Sequence, residues 1–306
     1  MEEQVMDGII PLYKERGMTS FDCVSRLRRI LHTKKIGHSG TLDPSVDGVL
    51  PICVGSATKV VPYLMASGKN YQGELLVGEA TTTEDLDGEV IAAQPVTDEI
   101  PAAAIQEQMA TLTGKITQIP PMYSAVKVKG KRLYEYARAG ETVERPVRHV
   151  TVDKFELLGS KYDPTVKQQR ICFNVVCSKG TYVRTLVVEL AKRLGYPGTM
   201  SWLTRLASGG FTLDQTLSLT DVQDAVTAGT INHYLYPLDY ALHDYPAVDL
   251  TDTQWRAVQN GGWLKPAELA TDAVELVLKY NKQVKALYHL DQQQGAYKPT
   301  KMFSTK

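Results

Sequence analysis

One carboxylate stands in a loop of small residues near the start of the chain, at residues 37–44, Gly-His-Ser-Gly-Thr-Leu-Asp-Pro. Gly40 permits a positive φ and a close approach of a ligand to the backbone, and Pro44 moves Asp43 out of the helical region. Such a loop buries little apolar surface to offset its loss of conformational entropy. An acid and a histidine held in it therefore indicate chemistry on a ligand. An ordinary turn is the alternative, because Asp-Pro and Ser-Gly also favour turns.

A second set of residues could surround a nucleotide. Tyr71 and Tyr182 offer aromatic faces, on which stacking of a base is worth about 1–3 kcal/mol, and Leu203 offers an apolar wall. Enzymes that modify a base usually extract it from the stack into such a pocket. Arg184 could keep a partly buried Asp43 ionised through a charge-assisted pair. Taken one at a time, however, each tyrosine is more typical of a hydrophobic core.

The elements that must position these residues mix strands and helices without a regular alternation. Apolar runs predict strands at 8–13, 49–54, 71–77, 123–128, 150–158, 170–177, 274–280 and 284–290. Caps and apolar periodicity predict helices that begin near residues 20, 57, 101, 181 and 219. This order predicts an α+β fold with a mixed, largely antiparallel sheet. Pro237 and Pro246 mark a boundary between domains at about 1–240 and 245–306.

Composition is that of an ordinary globular chain. The 306 residues are 43% hydrophobic and 22% charged. No run of about 18 apolar residues predicts a membrane span, and the acidic residues 1–4 differ from a signal peptide. The cysteines form no Cys-x-x-Cys pair: they are Cys23, Cys53, Cys172 and Cys177. This argues against a zinc site or a disulfide framework, and we expect a cytoplasmic protein with buried cysteines.

The formal net charge is zero, but the charges are segregated along the chain. Residues 71–114 contain acidic side chains and no Lys or Arg. Three basic clusters are Lys14, Arg16, Arg26, Arg28, Arg29, Lys34 and Lys35; Lys127, Lys129, Lys131, Arg132, Arg138, Arg145 and Arg148; and Lys279, Lys282, Lys285, Lys298, Lys301 and Lys306. Each cluster alone is typical of a solvated face, whereas together they favour a basic surface for RNA.

The loop at 37–44 is one of several ordered blocks that resemble the TruB family of bacterial tRNA pseudouridine synthases. The others are GVLP (48–51), ATK (57–59), KNY (69–71), PPMYSAVK (120–127), SKGTYVR (178–184), LTR (203–205) and GF (210–211). The resemblance covers about residues 8–220. It implies an isomerase that converts the T-loop uridine of tRNA, uridine 55, to pseudouridine. Several blocks in the right order are far more specific than any one of them.

The resemblance also implies residue roles. Asp43 matches the catalytic aspartate, which acts as a nucleophile on a flipped-out uridine. The matching substrate-binding residues are His38, Tyr71, Tyr182, Arg184 and Leu203. Tyr71 stacks on the base, Tyr182 assists proton removal from carbon or packs the pocket, and Arg184 pairs with the aspartate. The leucine contacts the base and the histidine contacts the displaced RNA, although a lone histidine is more typical of a structural hydrogen bond.

The implied reaction exchanges one bond for another within a single nucleotide. It needs no redox cofactor, metal or nucleoside triphosphate, and the sequence offers a site for none. Addition of the aspartate to the base, attack on the sugar and elimination to a glycal are all compatible with these residues. The implied partner is the T-arm of tRNA, without an obligate protein partner, and we expect a monomer.

Two segments outside the catalytic blocks are expected to bind RNA. The basic, tyrosine-containing insertion within about 120–150 is expected to act as a mobile RNA clamp, chiefly through residues 130–148. Residues 245–306 resemble, more weakly, the small PUA-type RNA-binding β domain that members of this family often carry.

The chain departs from the family pattern at three places. Glu15 stands where proline is common, which casts doubt on the role of Lys14, and Ser39 stands where threonine is usual. Ser45-Val46-Asp47 replaces the common Leu-Ala-Thr. Asp47 could raise the pKa of Asp43 if the two carboxylates are close, or it could point to solvent or cap the next turn.

Two other classes of function compete with the isomerase. A non-enzymatic RNA chaperone would use the same basic faces. A phosphate- or metal-using enzyme has less support, because residues 55–59 lack the order of a phosphate loop and residues 85–89 lack the spacing of a calcium loop.

Overall fold

The computed structural model describes residues 6–304, so residues 1–4 and Lys306 of the third basic cluster lie outside the described part. The α-helices are α1 (Ser20–Ile30), α2 (Val61–Ala66), α3 (Ala102–Thr111), α4 (Leu133–Arg138), α5 (Val183–Arg193), α6 (Leu219–Thr227), α7 (Asp252–Val258) and α8 (Pro266–Leu269). Short 3-10 helices cover Gly55–Val60, Leu213–Gln215, Ile231–Tyr234 and Leu238–Leu242.

The strands fall into one large sheet, one small sheet and two hairpins. They are β1 (Gly8–Lys14), β2 (Ile36–His38), β3 (Asp47–Val54), β4 (Lys69–Val77), β5 (Glu79–Thr81), β6 (Val90–Ala93), β7 (Gly114–Gln118), β8 (Lys127–Val128), β9 (Lys131–Arg132), β10 (Arg148–Asp163), β11 (Gln168–Cys177), β12 (Gly198–Ser208), β13 (Phe211–Thr212), β14 (Ala247–Asp249), β15 (Glu275–Tyr280), β16 (Gln283–Asp291) and β17 (Ala296–Met302).

The large sheet has nine strands in the order β1-β3-β12-β4-β11-β10-β7, with β2 beside β3 and β13 beside β12. Its pairings are antiparallel except for a short parallel contact between β3 and β12. The predicted α+β fold with a mixed, largely antiparallel sheet is confirmed.

The main core lies between one face of this sheet and α1, α3, α5 and α6. Apolar residues at helical spacing bury one side of α1, and Thr19 caps the first turn in a reciprocal pair with Asp22. On the sheet side, alternate residues of β4 and β11 face the helices, among them Leu75 and Phe173. This packing fixes β4, α5 and β12, the elements that carry Tyr71, Arg184 and Leu203.

Strand β1 is bonded on both edges. One edge pairs with β3 along its whole length. On the other edge, Ile9 exchanges two backbone hydrogen bonds with Tyr236, at 2.8 and 2.9 Å, and Leu217 bonds to the backbones of Pro11 and Tyr13. Segments far apart in the chain therefore complete the first strand.

The predicted small C-terminal β unit is present as a four-stranded sheet, β14-β15-β16-β17. It has a core of its own around Trp255 and Tyr288. A further apolar cluster joins this unit to the opposite face of the large sheet, since Val49 of β3 packs in one cluster with Leu287 and Phe303. The two sheets thus share buried surface and do not meet only through a linker.

The predicted strand at 123–128 is wrong, because only Lys127–Val128 is extended and paired, and then only with β9. The carbonyls of this segment have other partners: Ser124 and Val126 accept hydrogen bonds from the first residues of α4, and Tyr123 accepts one from Arg184. These bonds hold the segment as an irregular wall.

Two lysines of the basic clusters are buried, so they do not contribute to a solvent-facing basic surface. Lys14 is 0% exposed and Lys285 is 4% exposed. Of the four cysteines, which are all free, three are buried and Cys172 is partly exposed. Between residues 6 and 304, no helix is both long enough and apolar enough to cross a membrane.

Candidate active site

The loop that carries Asp43 is fixed at several points. Leu42 donates its amide hydrogen to Ser20 Oγ at 2.9 Å, and this hydroxyl donates in turn to the Leu42 carbonyl at 3.3 Å. The amide of Ser39 donates to the carbonyl of Pro51 at 3.0 Å. Leu42 and Val46 are buried on either side of the aspartate. The Asp43 side chain itself remains 42% exposed, so a rigid loop presents a carboxylate to solvent.

Lys14 closes the turn between β1 and α1 from inside. Its ammonium group donates to the carbonyls of Met18 at 2.7 Å, Glu15 at 3.0 Å and Pro44 at 3.4 Å. Burial lowers the pKa of this lysine. The turn that lacks the usual proline is therefore held by a buried cation, which also contacts the loop of Asp43 at Pro44.

Asp47 neither points to solvent nor caps a turn. Its carboxylate accepts hydrogen bonds from Tyr13 Oη at 3.2 Å, Arg16 Nε at 3.0 Å and Thr204 Oγ1. Through Tyr13 and Thr204, Asp47 of β3 is joined to β1 and β12.

Arg184 is the central cation of the site. The guanidinium is 7% exposed and places Nη2 2.9 Å from Asp43 Oδ2 and Nη1 3.4 Å from Asp85 Oδ2. It also donates to the carbonyls of Thr83 at 2.7 Å and Tyr123 at 2.9 Å. Burial raises the pKa of Asp85, against the opposing effects of Thr83 and Arg184. Contacts with Asp85, Thr83 and Tyr123 thus fix the arginine independently of Asp43.

A cavity of about 820 Å³ opens beside this pair. Five of the six expected site residues line it: Asp43, Tyr71, Tyr182, Arg184 and Leu203. Leu203 is seated over Gly73 of β4, where a Cβ would lie 2.8 Å from the leucine side chain. Burial raises the pKa of the Tyr71 phenol, while the neighbouring Arg205 lowers it. The cavity therefore combines an exposed carboxylate, a buried cation, two phenols and an apolar wall.

His38 does not line this cavity. It lies at the end of β2, opposite Ile52 of β3, and its Nδ1 is buried without a hydrogen-bond partner in the described structure. Burial lowers the pKa of the imidazole, which favours the neutral form. The histidine is therefore close to Asp43 in sequence but is not part of the cavity wall.

Sequence reasoning missed two further cations of the cavity wall, Arg205 and Lys69. Arg205 is 1% exposed and donates to the carbonyls of Val49 at 2.7 Å and Gly40 at 3.4 Å. Lys69 donates to the carbonyls of Met65 and Ser67, and burial with the charge of Arg205 lowers its pKa to about 8. The sequence signal that could have identified both cations is the two-residue period of a β-strand, in which alternate side chains share one face.

Both cations share a strand face with one of the expected site residues. Lys69 stands two residues before Tyr71 on β4, and Arg205 stands two residues after Leu203 on β12, so each pair shares one face of its strand. Asp85 had no comparable signal, because it lies in a loop between two short strands. In the described part of the chain, no group of three or more His, Cys, Asp or Glu side chains could hold a metal ion.

The chain is similar to known proteins in sequence and in fold. A family model described as TruB family pseudouridylate synthase (N terminal domain) matches residues 28–183. A second, described as tRNA pseudouridylate synthase B C-terminal domain, matches residues 184–243. Among solved structures, a Cbf5-Nop10-Gar1 complex contains a chain with a TM-score of 0.75 and 26% identity, covering 99% of this chain and 87% of that one.

Two relatives are each named tRNA pseudouridine synthase B. One, from Limosilactobacillus reuteri, is 72% identical over 98% of this chain and 99% of its own length. The other, from Levilactobacillus brevis, is 59% identical over 98% and 99%. Fold and matched models together define a pseudouridylate synthase. The chain belongs to the TruB family.

Proposed function

We propose that this protein converts the T-loop uridine of tRNA, uridine 55, to pseudouridine, with Asp43 as the nucleophile on a flipped-out uridine. The single observation that carries the proposal is the ion pair of Asp43 with the buried Arg184 at the wall of the cavity. The relatives named tRNA pseudouridine synthase B support the choice of tRNA as substrate.

The pair suits cleavage of a glycosidic bond. In the reaction, the bond between ribose C1′ and uracil N1 breaks, a bond between C1′ and C5 forms, the proton leaves C5, and N1 gains a proton. Positive charge develops on the sugar as the first bond breaks, and an ionised carboxylate stabilises it or captures it covalently. Arg184 orients Asp43 through the charge-assisted pair. Addition to the base, attack on the sugar and elimination to a glycal all use this arrangement.

The cavity suits an everted base. Its volume of about 820 Å³ lies within the range of about 300–1,000 Å³ for ligand pockets. Tyr71 stacks on the uracil, and Leu203 closes the apolar side. Tyr182 stands at the start of α5, where it assists removal of the C5 proton or packs the base. His38, which does not line the cavity, is assigned to the displaced RNA around the everted nucleotide.

RNA outside the cavity is assigned to two surfaces. The insertion stacks its own cations on its tyrosines, with Lys131 4.7 Å from the ring of Tyr136 and Arg138 5.4 Å from that of Tyr134. These groups face the T-arm as a clamp. The small C-terminal sheet acts as a PUA-type contact for the rest of the tRNA.

We further propose that the enzyme works as a monomer in the cytoplasm, without an obligate protein partner. Its four free cysteines are consistent with a reducing compartment. Light scattering of the pure protein gives the mass directly, and a dimer at working concentration contradicts the monomer.

The decisive experiment compares Asp43→Asn with the wild type on unmodified tRNA. The substitution removes the charge and nucleophilicity of the carboxylate but keeps its shape. Pseudouridine at position 55 should disappear while the affinity for tRNA stays within about threefold, because phosphate contacts dominate affinity. Asp98→Asn, an exposed carboxylate far along the chain, should retain full activity.

The possible results separate the competing functions. Full activity of Asp43→Asn removes this residue from the mechanism. A wild-type protein that binds and refolds tRNA without forming pseudouridine is an RNA chaperone instead. Loss of wild-type activity on addition of excess chelator points to a metal-using enzyme.

A further inference from the structure

The turn between β11 and α5, residues 178–182, is fixed on both sides. Ser178 exchanges hydrogen bonds with Thr151 at the start of β10: its amide donates to the Thr151 carbonyl at 2.8 Å, and the Thr151 amide donates to Ser178 Oγ at 2.9 Å. At the other end, the Gln118 side chain accepts from the Tyr182 amide at 3.0 Å and donates to its carbonyl at 3.2 Å. The turn is held in place without help from a ligand.

Inside this turn, two consecutive backbone amides are free. Those of Lys179 and Gly180 donate no hydrogen bond to any residue between 6 and 304, whereas Thr181 closes the turn on Ser178. Gly180 has a φ of +82°, a conformation typical of the third residue of a tight turn, and the two amides inside such a turn are left free for a ligand. Consecutive amides arranged in this way form concave sites for anions.

Two cations flank these amides. Arg148, at the first position of β10, places Nη1 3.5 Å from the point where a Cβ of Gly180 would stand. Lys179 is exposed on the turn itself. Neither side chain makes a hydrogen bond or an ion pair with any residue of the described chain. Most basic residues placed for structural reasons have such a partner here, as Lys14 and Arg205 do.

The position of these groups relates them to the reaction. Arg148, Lys179, Gly180 and Thr181 all line the cavity that holds Asp43. The first residues of α5 line it as well, so the positive end of the helix dipole points to the same region. Positive charge and free donors therefore converge at one wall of the cavity, whereas Asp43 and Arg184 pair at another.

We propose that this turn and the two cations form a phosphate cradle, which binds one backbone phosphate of the RNA next to the everted uridine. The inference rests on the proposed function, since it assigns the anion as part of the same substrate. Holding one phosphate fixes the ribose relative to Asp43, which the reaction requires because C1′ must stay in place while the uracil turns. Free phosphate shares this chemistry and is separated from RNA by the test.

The test is a double-mutant cycle between protein and RNA. A T-arm stem–loop RNA carries one uncharged methylphosphonate at a time, at the phosphates on either side of the target uridine and of its two neighbours. Each RNA is titrated against the wild type and against Arg148→Gln, Lys179→Gln and the double variant. Inorganic phosphate at rising concentration serves as the competitor that represents the free anion.

One RNA position should couple to the cradle. Neutralising that phosphate should weaken binding to the wild type roughly tenfold, because a charge-assisted hydrogen bond is lost, but should have little effect on the double variant. Removing the contact should also lower the slope of log affinity against log salt by about 0.7. Arg148→Lys and Lys179→Arg, which keep the charges, should restore most of the affinity.

A matched control is Lys161→Gln, an exposed lysine toward the other end of β10, which should behave as the wild type with every RNA. Additive effects at all the phosphates tested, or a uniform loss unrelated to position, overturn the cradle. So does inhibition by millimolar inorganic phosphate without coupling to any RNA position. Coupling is measured as binding, so it is judged separately from turnover: a wild type that shows the coupling but forms no pseudouridine contradicts the proposed function and leaves the cradle standing.

Discussion

Buried cations around Asp43 bind backbone carbonyls more than carboxylates. Lys14, Lys69 and Arg205 each donate to two or three main-chain oxygens, and Arg184 adds two more carbonyls to its pairs with Asp43 and Asp85. Carbonyl dipoles satisfy the donors but leave the charge uncompensated. The wall of the cavity is therefore electropositive, which favours an anionic substrate.

Asp85 is predicted to position Arg184, although it does not contact the reacting atoms. In Asp85→Asn the guanidinium loses its more buried carboxylate, and Asp43 is left as its only charged partner in the described structure, so the geometry of the pair changes. We expect kcat to fall by at least tenfold, about 1.4 kcal/mol in the barrier, with little change in tRNA affinity. Single-turnover kinetics and a binding titration check this.

The control for that prediction lies two residues away. Asp87 is exposed, and its side chain makes no bond in the described structure, so Asp87→Asn should have the kcat of the wild type. Equal kcat values for both variants would contradict a positioning role for Asp85.

Lys69 predicts a specific pH dependence of stability. Burial and Arg205 lower its pKa from 10.5 to about 8 in the folded protein. Between these values the unfolded chain holds a proton that the folded protein has released, so the free energy of unfolding increases with pH in that window. Relative to Lys69→Gln, the wild type should gain up to about 1.4 kcal/mol per pH unit between roughly pH 8 and 10.

Urea unfolding at several pH values measures this difference. The exposed Lys161 provides the matched control, because Lys161→Gln removes the same charge from a solvated site. Its curve should run parallel to that of the wild type. A parallel curve for Lys69→Gln as well would mean that Lys69 has an ordinary pKa.

At the residue scale, the cavity residues that belong to short sequence motifs could be predicted. Asp43, Tyr71, Tyr182, Arg184 and Leu203 were all expected and all line one cavity. The partner of Arg184 in the loop at 83–85 was not expected. That contact joins residues about 100 positions apart, and no local pattern reports it.

The short parallel contact between β3 and β12 joins the two halves of the site. Gly48 of β3 pairs with Arg205 of β12, directly after the loop of Asp43. Its φ is +111°, and a Cβ there would stand 2.2 Å from the Arg205 carbonyl oxygen. Only a glycine allows the strands to approach so closely, which brings Arg205 under the reacting loop.

Gly48→Ala should therefore destabilise the protein strongly. Strain at positive φ and a clash with main-chain atoms both contribute, and we expect a loss of at least about 3 kcal/mol in the free energy of unfolding. Gly195→Ala isolates the first effect, because Gly195 has a φ of +88° but no atom within 4 Å of its Cβ position. That variant should lose only about 1 kcal/mol.

Denaturant unfolding of the two variants makes the comparison. Similar losses for Gly48→Ala and Gly195→Ala would show that the close approach of β3 and β12 has no energetic importance. Residual activity of Gly48→Ala, assayed below its unfolding midpoint, would report how far Asp43 has moved.

Elements with strong local signals were predicted well. Thr19 and Ser218 begin α1 and α6 through reciprocal caps with acidic residues three positions later, as their sequences indicate. The wrong strand at 123–128 shows the limit of such signals. Its apolar residues suit a strand, but α4 and Arg184 take its carbonyls, and these are tertiary contacts.

At the scale of the whole molecule, the C-terminal sheet is attached to the back of the catalytic sheet. Lys59 donates to the carbonyls of Met302 at 3.1 Å and Phe303 at 2.9 Å. The ring of Phe303 packs edge to face on Tyr63 at 6.2 Å. Because this surface is continuous with Val49 of β3, the two parts should unfold together.

Phe303→Ala tests this coupling. The ring is 2% exposed, and its removal should cost about 3–5 kcal/mol through lost burial and a cavity. Calorimetry should show one transition that moves as a whole. Val274→Ala, in the same unit but 65% exposed, should leave the melting temperature nearly unchanged. Two separate transitions, of which only one responds to Phe303→Ala, would contradict coupled unfolding.

Strand β1, which is hydrogen-bonded on both of its edges, has a consequence for biosynthesis. The ribosome synthesises the amino-terminal end first, but the outer edge of β1 can form its hydrogen bonds at Ile9 only after Tyr236 has been made. A nascent chain that ends before Tyr236 has an unpaired outer edge on β1 at Ile9. This strand is the neighbour of β3, which follows the loop of Asp43. The outer edge of β1 therefore stays unpaired there until translation has passed residue 236, and an unpaired strand edge is prone to aggregation.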